Sequence, residues 1–239
     1  MNIAIVFAGG TGQRMNNGAK PKQFLELYGK PIIIYTLEVF QNHPDIDKIV
    51  IPCVKGWEDY LQKLVNKYEI TKVCKIVTGG NTSQKSKLVA LRALENICSS
   101  RDIILMHDAV RPLITPELIT DNIECVKKYG NAITTDPFTE TGVVSTDGIT
   151  VEEAIERNKL YIAKAPQSFY YEDVLNAHEI GENLPDTLTI DTCTLMKYLG
   201  KELFFVACKS ANIKITTPSD YYIFKAIFDF NESKKVIGM

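Results

Sequence analysis

The sequence predicts an α/β fold, a doubly wound and mostly parallel sheet with helices on both faces. Three observations support this prediction. Apolar segments of strand length alternate with segments of helical period from residue 2 to residue 130, as in proteins built from repeated β-α units. The first strand, at 2–8, is apolar without a period of two, which is typical of a strand buried on both faces. No internal repeat or low-complexity tract interrupts the alternation.

The predicted elements of this first part follow one another in a regular order. The helix at 31–41 has Pro31 in its first turn, where proline is favoured. The helix at 115–130 begins at Thr115, a good capping residue, and Gly130 stands past its end. The other predicted strands lie at 48–54, 73–80 and 102–109, and the other predicted helices at 57–68 and 82–97.

The pattern changes at about 136–165, where the chain is polar and contains two turn-like glycines and short strand-like runs. We expect this segment to be a β-arm that projects from the sheet. The alternation then returns with a helix at 171–180, a strand at 202–208 and a final helix at about 218–230. We therefore expect a single domain over residues 1–239 that includes the arm.

The composition excludes several classes of protein. The 239 residues carry a net charge of −2 and are 45% hydrophobic, so nothing favours a nucleic-acid partner or a membrane partner. The sequence has neither a signal sequence nor an apolar run approaching the ~20 residues that span a bilayer, and we expect a cytoplasmic protein. The six cysteines form no CxxC pair and the three histidines lack zinc-ligand spacing.

A glycine-rich and purely cationic loop follows the first strand, where open α/β sheets bind their ligands. Its glycines are Gly9, Gly10 and Gly12, and its cations are Arg14, Lys20 and Lys22. Such glycines let backbone N–H groups approach an anion. We therefore interpret the loop as a triphosphate-binding loop and not as a flexible connection. It is not a Walker A loop, and Met15 stands where a dinucleotide fingerprint needs its third glycine.

Three further segments carry candidate site residues. "TGGNTSQKS" follows the third strand and suits either a nucleobase edge or ribose, or a plain turn with a helix cap. In "MHDAVRP", Asp108 is suited either to Mg²⁺ among phosphate oxygens or to an ion pair with Arg111 that orders the loop. His107 is expected to pack locally. In "NIKITTPSD", Lys214 is expected within a short strand, facing a cleft or solvent.

In this order, these segments resemble the cytidylyltransferases that join CTP to a polyol phosphate. The resemblance covers nearly the whole chain and rests on "AGGTGQRM", "PKQFLELYGKPII", "TGGNTSQKS", "HDAVRP", "APQSF" and "NIKITTPSD". It implies a Rossmann-like nucleotidyltransferase fold and a homodimer formed through the β-arm. It also implies a role for each of several residues.

The implied roles fall into four groups. The catalytic cations are Arg14, Lys22 and Lys214. The residues that hold CTP are Ala8, Gly9, Gly10, Gly80, Asn81, Ser86 and Arg111. The residues that hold the phosphate of the polyol are Thr141, Arg157 and Lys214, with Thr141 and Arg157 acting across the dimer. Asp108 is the ligand of Mg²⁺, the expected cofactor.

Two branches of the family compete for the second substrate, which is ribitol 5-phosphate (for teichoic acid or capsule precursors) or 2-C-methyl-D-erythritol 4-phosphate (for isoprenoid precursors). Gly9, Val110 and the arm segment "TETGVVS", which lacks a basic residue, resemble the ribitol branch, which we therefore favour. Two positions depart from the family pattern. Ser83 stands where the family often has arginine, and Ile190 stands where a threonine usually precedes Asp191.

Rival classes remain beside this interpretation. A nicotinamide-dependent dehydrogenase is disfavoured because Met15 breaks the fingerprint and no acid stands at the expected ribose position. A glycosyltransferase is disfavoured because Asp45-Ile46-Asp47 precedes a strand instead of ending one. A non-catalytic nucleotide-binding protein is compatible with the sequence.

Overall fold

The computed structural model describes residues 1–10 and 20–237. Within this part of the chain the strands are β1 (Asn2–Phe7), β2 (Glu26–Leu27), β3 (Lys30–Pro31), β4 (Lys48–Cys53), β5 (Val73–Thr78), β6 (Ile103–Asp108), β7 (Asn131–Pro137), β8 (Gly142–Val144), β9 (Glu153–Ile155), β10 (Tyr161–Tyr170) and β11 (Phe205–Ala207). The helices are α1 (Ile32–Asn42), α2 (Glu58–Lys67), α3 (Ser83–Arg92), α4 (Pro116–Tyr129), α5 (Tyr171–Gly181), α6 (Asp186–Thr189), α7 (Thr192–Tyr198) and α8 (Pro218–Ile237).

Seven of these strands form a central sheet in the order β11-β7-β10-β6-β1-β4-β5. The β1 strand pairs in parallel with both β4 and β6, and β4 pairs in parallel with β5. Strand β10 runs antiparallel to its neighbours β6 and β7, whereas β11 is parallel to β7. The prediction of a mostly parallel sheet is therefore confirmed.

The two faces of the sheet are covered by different helices. Alternate residues of β1 divide between the faces, since Ala4 and Val6 join one apolar cluster whereas Ile3 and Ile5 join the other. Helices α1, α2 and α4 contribute to the first cluster, and α3, α5 and α7 to the second. A strand that is apolar on both sides has no polar face to give to solvent, which explains the continuous apolar run in the sequence.

Segment 138–160 leaves the sheet as the sequence predicts. Within it, β8 and β9 form an antiparallel hairpin in which Gly142 pairs with Ile155. The hairpin exposes several apolar side chains, among them Val143, Ile149 and Val151. The chain re-enters the sheet where Tyr161 of β10 pairs with Pro137 of β7.

The structure corrects two local predictions. The helix predicted at 82–97 ends at Arg92, and beyond it the chain continues through turns whose backbone bonds span three residues, such as Leu94 N to Leu91 O. Lys214 does not lie in a strand. Ile215 is buried and its N–H donates one backbone hydrogen bond, to Val110 O, but no strand ladder forms around it.

Two short elements, the β2–β3 hairpin and α6, were not predicted from the sequence. The strand predicted at 202–208 is present but shorter, as β11. A search for helices long and apolar enough to cross a membrane finds none among the residues that the structure describes.

A buried histidine makes the stability of this fold depend on pH. His178 Nδ1 lies 2.6 Å from Gln84 Oε1, and its Nε2 lies 3.1 Å from Thr192 Oγ1. Burial, assisted by the nearby Lys87 ammonium, lowers the pKa of His178 to about 3. In the unfolded chain the same side chain takes up a proton near pH 6.5, so the unfolded state binds more protons below that pH.

We expect the free energy of unfolding to fall as the pH drops below about 6.5, with His178 contributing about 2 kcal/mol of loss between about pH 7.5 and about pH 5. Urea unfolding followed by circular dichroism at the two pH values measures the change. The His178→Gln variant serves as comparator, and its stability should fall by less between the two pH values. An equal fall in both proteins would contradict the assignment.

Candidate functional site

A cleft of about 850 Å³ opens at the carboxyl ends of the parallel strands. Phe7 ends β1, Val54 follows β4, Gly79 follows β5 and Asp108 ends β6, and all four line the cleft. Basic side chains outnumber acidic ones among the described residues that line it. The basic lining residues of the described chain are Lys22, Lys55, Lys87, Arg111, Lys164 and Lys214, and the acidic ones are Asp108 and Asp191. The cleft is therefore built to receive an anion of high charge.

A buried glutamine fixes the backbone beside the first glycines. Gln23 Nε2 donates to Ala8 O at 2.6 Å and to Gly10 O at 3.2 Å, and the side chain is 1% exposed. Its neighbour Phe24 stacks on Trp57 with ring centroids 5.0 Å apart. Sequence reasoning assigned Gln23 no role, because its partners are backbone carbonyls 13 and 15 residues away.

The second glycine segment is a turn with a helix cap, one of the two alternatives that the sequence left open, and it also lines the cleft. Thr82 caps α3 by accepting from Lys85 N at 3.1 Å, and Ser86 Oγ donates to Gly80 O at 3.2 Å or to Thr82 O at 2.9 Å. Gly80, Asn81 and Ser86 also line the cleft. The segment is thus a capped turn that presents backbone and small polar groups to whatever fills the cleft.

Asp108 lies between two cations. Its Oδ1 is 2.9 Å from Lys214 Nζ, and its Oδ2 is 2.8 Å from Arg111 Nε. Arg111 also donates from Nη1 to Asn212 O at 2.9 Å. Burial disfavours the ionised carboxylate, but Lys214 and Arg111 outweigh it and hold the pKa of Asp108 well below its usual range. The carboxylate therefore stays charged, and it holds both cations at the carboxyl end of β6.

These contacts bear on the expected magnesium ion. Among residues 1–10 and 20–237, no group of three or more His, Cys, Asp or Glu side chains could hold a metal by itself. Mg²⁺ is commonly bound by one or two carboxylates together with substrate phosphate oxygens, and Asp108 offers one such carboxylate. Both of its oxygens carry a cation in this structure, so phosphate oxygens would have to compete for Lys214 and Arg111 before Asp108 could bind the ion.

Three cleft lysines, Lys55, Lys87 and Lys164, had no place in the sequence-based site. Lys164 Nζ lies 2.5 Å from Asp136 Oδ2 on the neighbouring strand. Lys87 Nζ donates to Thr189 O and Ile190 O, each at 3.3 Å. Burial lowers the pKa of Lys87 to about 8, although Asp191 and Asp108 oppose the change. Lys87 follows a polar run, Ser83 to Ser86, at the start of α3, so the sequence gives no signal that its ammonium turns inward.

The structure brings together most of the predicted site residues. Those that line the cleft are Gly9, Gly10, Lys22, Gly80, Asn81, Ser86, Asp108, Arg111 and Lys214. Lys20 is exposed and pairs with Glu26 at 2.9 Å, outside this lining. Arg14 and Gly12 lie outside the described residues.

Three predicted residues do not line the cleft of this chain. Ala8 is buried, its N–H donates to Pro52 O and its carbonyl accepts from Val54 N, so its contact with CTP stays a prediction. Thr141 and Arg157 lie on the exposed arm, where Arg157 Nη1 donates to Thr139 O at 3.3 Å. Their predicted role requires the cleft of another copy.

A mostly parallel sheet with glycine segments and a strongly cationic cleft beyond its strand ends is the architecture of a nucleotidyltransferase. Comparison with known proteins gives the family. The family described as "IspD: 2-C-methyl-D-erythritol 4-phosphate cytidylyltransferase" matches residues 2–229. The chain belongs to this cytidylyltransferase family, and the resemblance seen in the sequence is confirmed.

Individual relatives cover the whole chain. A ribitol-5-phosphate cytidylyltransferase of Vibrio parahaemolyticus is 48% identical, and one of Streptococcus agalactiae serotype V is 45% identical, each over 100% of both chains. A 2-C-methyl-D-erythritol 4-phosphate cytidylyltransferase of Clostridium botulinum is 35% identical over 95% of this chain and 97% of its own. The crystal structure of 4-diphosphocytidyl-2C-methyl-D-erythritol synthase from Anaerococcus prevotii has the same fold, with a TM-score of 0.80, 24% identity and 96% of each chain covered.

Gly80 has no room for a side chain, which gives a test of the packing at the second glycine segment. A Cβ at Gly80 would overlap Lys85 Cβ and lie 2.8 Å from the Lys85 carbonyl carbon, whereas at Gly10 the nearest atom is 3.9 Å away. We expect Gly80→Ala to displace the first turn of α3 and to lower the free energy of unfolding by about 1–3 kcal/mol. Gly10→Ala is the control and should change it by less than about 0.5 kcal/mol. Urea unfolding without ligand measures both, and similar stabilities would contradict the packing described.

Proposed function

We propose that this protein transfers the cytidylyl group of CTP to D-ribitol 5-phosphate, releasing CDP-ribitol and pyrophosphate. The observation that carries the proposal is the cationic cleft around Asp108, Arg111 and Lys214 at the carboxyl ends of β1 and β6. The choice of ribitol is supported by the identities, since the relatives named for ribitol 5-phosphate stand at 45% and 48% and the one named for methylerythritol phosphate at 35%.

The reaction needs cations more than it needs a base. A phosphate oxygen of the polyol phosphate attacks the α-phosphorus of CTP, a new P–O bond forms, and the bond to the β-phosphate oxygen breaks so that pyrophosphate leaves with the electron pair. The nucleophile is already an anion and requires no deprotonation. The barrier is dominated by repulsion between the anions and by charge on the five-coordinate phosphorus, which positioned cations stabilise.

The cleft residues divide this work. Lys22 and Arg14 stabilise the charge that develops on the α-phosphate, and Gly9, Gly10 and the Gly80–Ser86 segment hold the nucleotide. Lys214 and Arg111 exchange the Asp108 carboxylate for phosphate oxygens as the substrates enter. Asp108 is the residue that would hold a magnesium ion, together with phosphate oxygens of the substrates. Such an ion would supply further neutralisation of the phosphate charge.

The arm completes the cleft of a second copy. Thr141 and Arg157 are exposed on the arm and are not among the described residues that line the cleft of their own chain, and the arm also exposes Val143, Ile149 and Val151. We infer a homodimer in which each arm packs on the partner and Arg157 binds the phosphate of the polyol there. The cytoplasmic location expected from the sequence stays a prediction.

A substrate panel tests the reaction. We expect pyrophosphate release from CTP and Mg²⁺ with ribitol 5-phosphate at a kcat/KM at least about tenfold above that with 2-C-methyl-D-erythritol 4-phosphate or glycerol 3-phosphate, a factor equivalent to ~1.4 kcal/mol of transition-state binding. Ribitol without phosphate and a reaction with EDTA are the controls. Preference for methylerythritol phosphate would assign the other branch. CTP binding without turnover of any acceptor would indicate a non-catalytic nucleotide-binding protein.

A subunit-mixing experiment tests the roles of cleft and arm together. We expect Lys22→Ala to lower kcat by about 10²-fold or more with little change in CTP affinity, and Arg157→Ala to raise the KM for the polyol phosphate. With the polyol phosphate well below the KM of Arg157→Ala, equal mixing of the two impaired variants should restore about a quarter of the wild-type rate, because half of the dimers are mixed and each has one intact pair. Each variant mixed with itself is the control. No recovery after proven subunit exchange would place Arg157 in the cleft of its own chain.

A further inference from the structure

Lys87 is a buried cation of the cleft to which the proposed reaction assigns no task. It lies in the second turn of α3, is 8% exposed, and lines the cleft. Burial of an ammonium is costly unless its donors are satisfied. The carbonyls of Thr189 and Ile190 accept from Nζ at 3.3 Å each. Because a lysine ammonium has three N–H donors, these two carbonyls leave one donor for a ligand in the cleft.

A carboxylate stands near this ammonium. Asp191 is half-buried and lines the cleft, and its Oδ1 caps α7 by accepting from Thr194 N at 2.7 Å. The cap leaves the second carboxylate oxygen available as an acceptor. The attraction between Asp191 and the Lys87 ammonium opposes the effect of burial on the pKa of Lys87. Ile190, whose carbonyl accepts from Lys87 Nζ, directly precedes Asp191 in the chain, and Lys87 and Asp191 both line the cleft. A hydroxyl group both donates and accepts, so this combination of a donor and an acceptor suits a hydroxyl better than a phosphate.

The ammonium of Lys87 lies on the side of the cleft proposed for the second substrate. Its carbonyl partners belong to the α6–α7 junction, which is tied to β10 by the bond from Cys193 N to Gln167 Oε1 at 2.9 Å. Strand β10 leads from the arm. The charges that act on Lys87 also include Asp108 and Lys214, and Lys214 is a residue that we place on the polyol phosphate.

The nucleotide side of α3 is served by a different residue. Ser86, next to Lys87, bonds the carbonyls of Gly80 and Thr82 and lies 3.2 Å from the position that a Cβ at Gly79 would take. Adjacent residues of a helix point about 100° apart, so Ser86 and Lys87 serve different regions of the cleft.

We propose that Lys87 and Asp191 form a subsite that binds a hydroxyl of the polyol chain, with Lys87 as a specificity-determining residue for the second substrate. This inference rests on the proposed function, because it requires the acceptor to be a polyol phosphate. Lys87 then selects among acceptors by their hydroxyls, whereas the arm and Lys214 hold the phosphate that all of them share.

The Lys87→Met variant tests the subsite because it keeps the aliphatic length and removes the donor. We expect its KM for ribitol 5-phosphate to rise about tenfold or more, with the dissociation constant for CTP changed by less than about twofold. The preference for ribitol 5-phosphate over glycerol 3-phosphate in kcat/KM should fall by a similar factor, because the shorter substrate has fewer hydroxyls to lose. A structural role alone would not move this ratio.

Lys72→Met is the matched control. Lys72 is also partly buried and donates from Nζ to a backbone carbonyl, His43 O at 2.6 Å, but it lies outside the cleft lining. The control should keep the wild-type KM for both substrates. An equal loss of CTP affinity in Lys87→Met would assign Lys87 to the nucleotide, and unchanged constants for both substrates would leave it a purely structural lysine; either result overturns the proposal.

A second variant and a measurement on the wild-type protein guard against misfolding. Lys87→Gln keeps one donor for the carbonyls and should raise the KM for ribitol 5-phosphate in the same direction. In wild-type protein with ¹³C-labelled lysine and α,β-methylene-CTP, the Lys87 Cε signal should shift on addition of ribitol 5-phosphate; no shift overturns the subsite. Turnover by the wild type tests the proposed function separately, so an active wild type with an unaltered Lys87→Met refutes only the subsite.

Discussion

The cleft depends on one electrostatic arrangement, in which the Asp108 carboxylate is held between the Lys214 ammonium and the Arg111 guanidinium. It joins the end of β6 to a segment more than 100 residues later in the chain, because Arg111 also bonds Asn212 O. That later segment has no strand ladder of its own. Without the carboxylate, two cations would face each other in a half-buried site, a costly arrangement unless an anion takes its place. The same balance makes the site receptive to phosphate.

The sequence predicted the framework well because its strands are apolar on both faces and its helices carry clear caps, as at Thr115 and Gly130. It also predicted the glycine segments and Asp108, since those residue types follow strand ends. It predicted less well wherever a single tertiary contact decides the conformation. The segment around Lys214 alternates as a strand does. No strand ladder forms there, however, and the N–H of Ile215 donates one backbone hydrogen bond, to Val110 O.

The buried polar side chains were the least predictable part of the site. Gln23 and Lys87 both bind backbone carbonyls. Every residue has a backbone carbonyl, so the sequence does not indicate which one a side chain will contact. Their roles follow only from the fold, which brings α3 against the α6–α7 junction and the first loop against the turn before β2. The arm was visible as a change of composition, but the sequence alone did not reveal its exposed apolar residues, which the proposed homodimer would cover.

The arm begins and ends at neighbouring points, since Pro137 and Tyr161 are paired across β7 and β10. Everything between them is therefore an excursion that leaves and re-enters the sheet at neighbouring positions. Its length and sequence can change during evolution while the nucleotide-handling half of the molecule stays as it is. A fold arranged in this way can acquire new acceptors by altering a peripheral insertion and a few wall residues, and it keeps one activated nucleotide throughout.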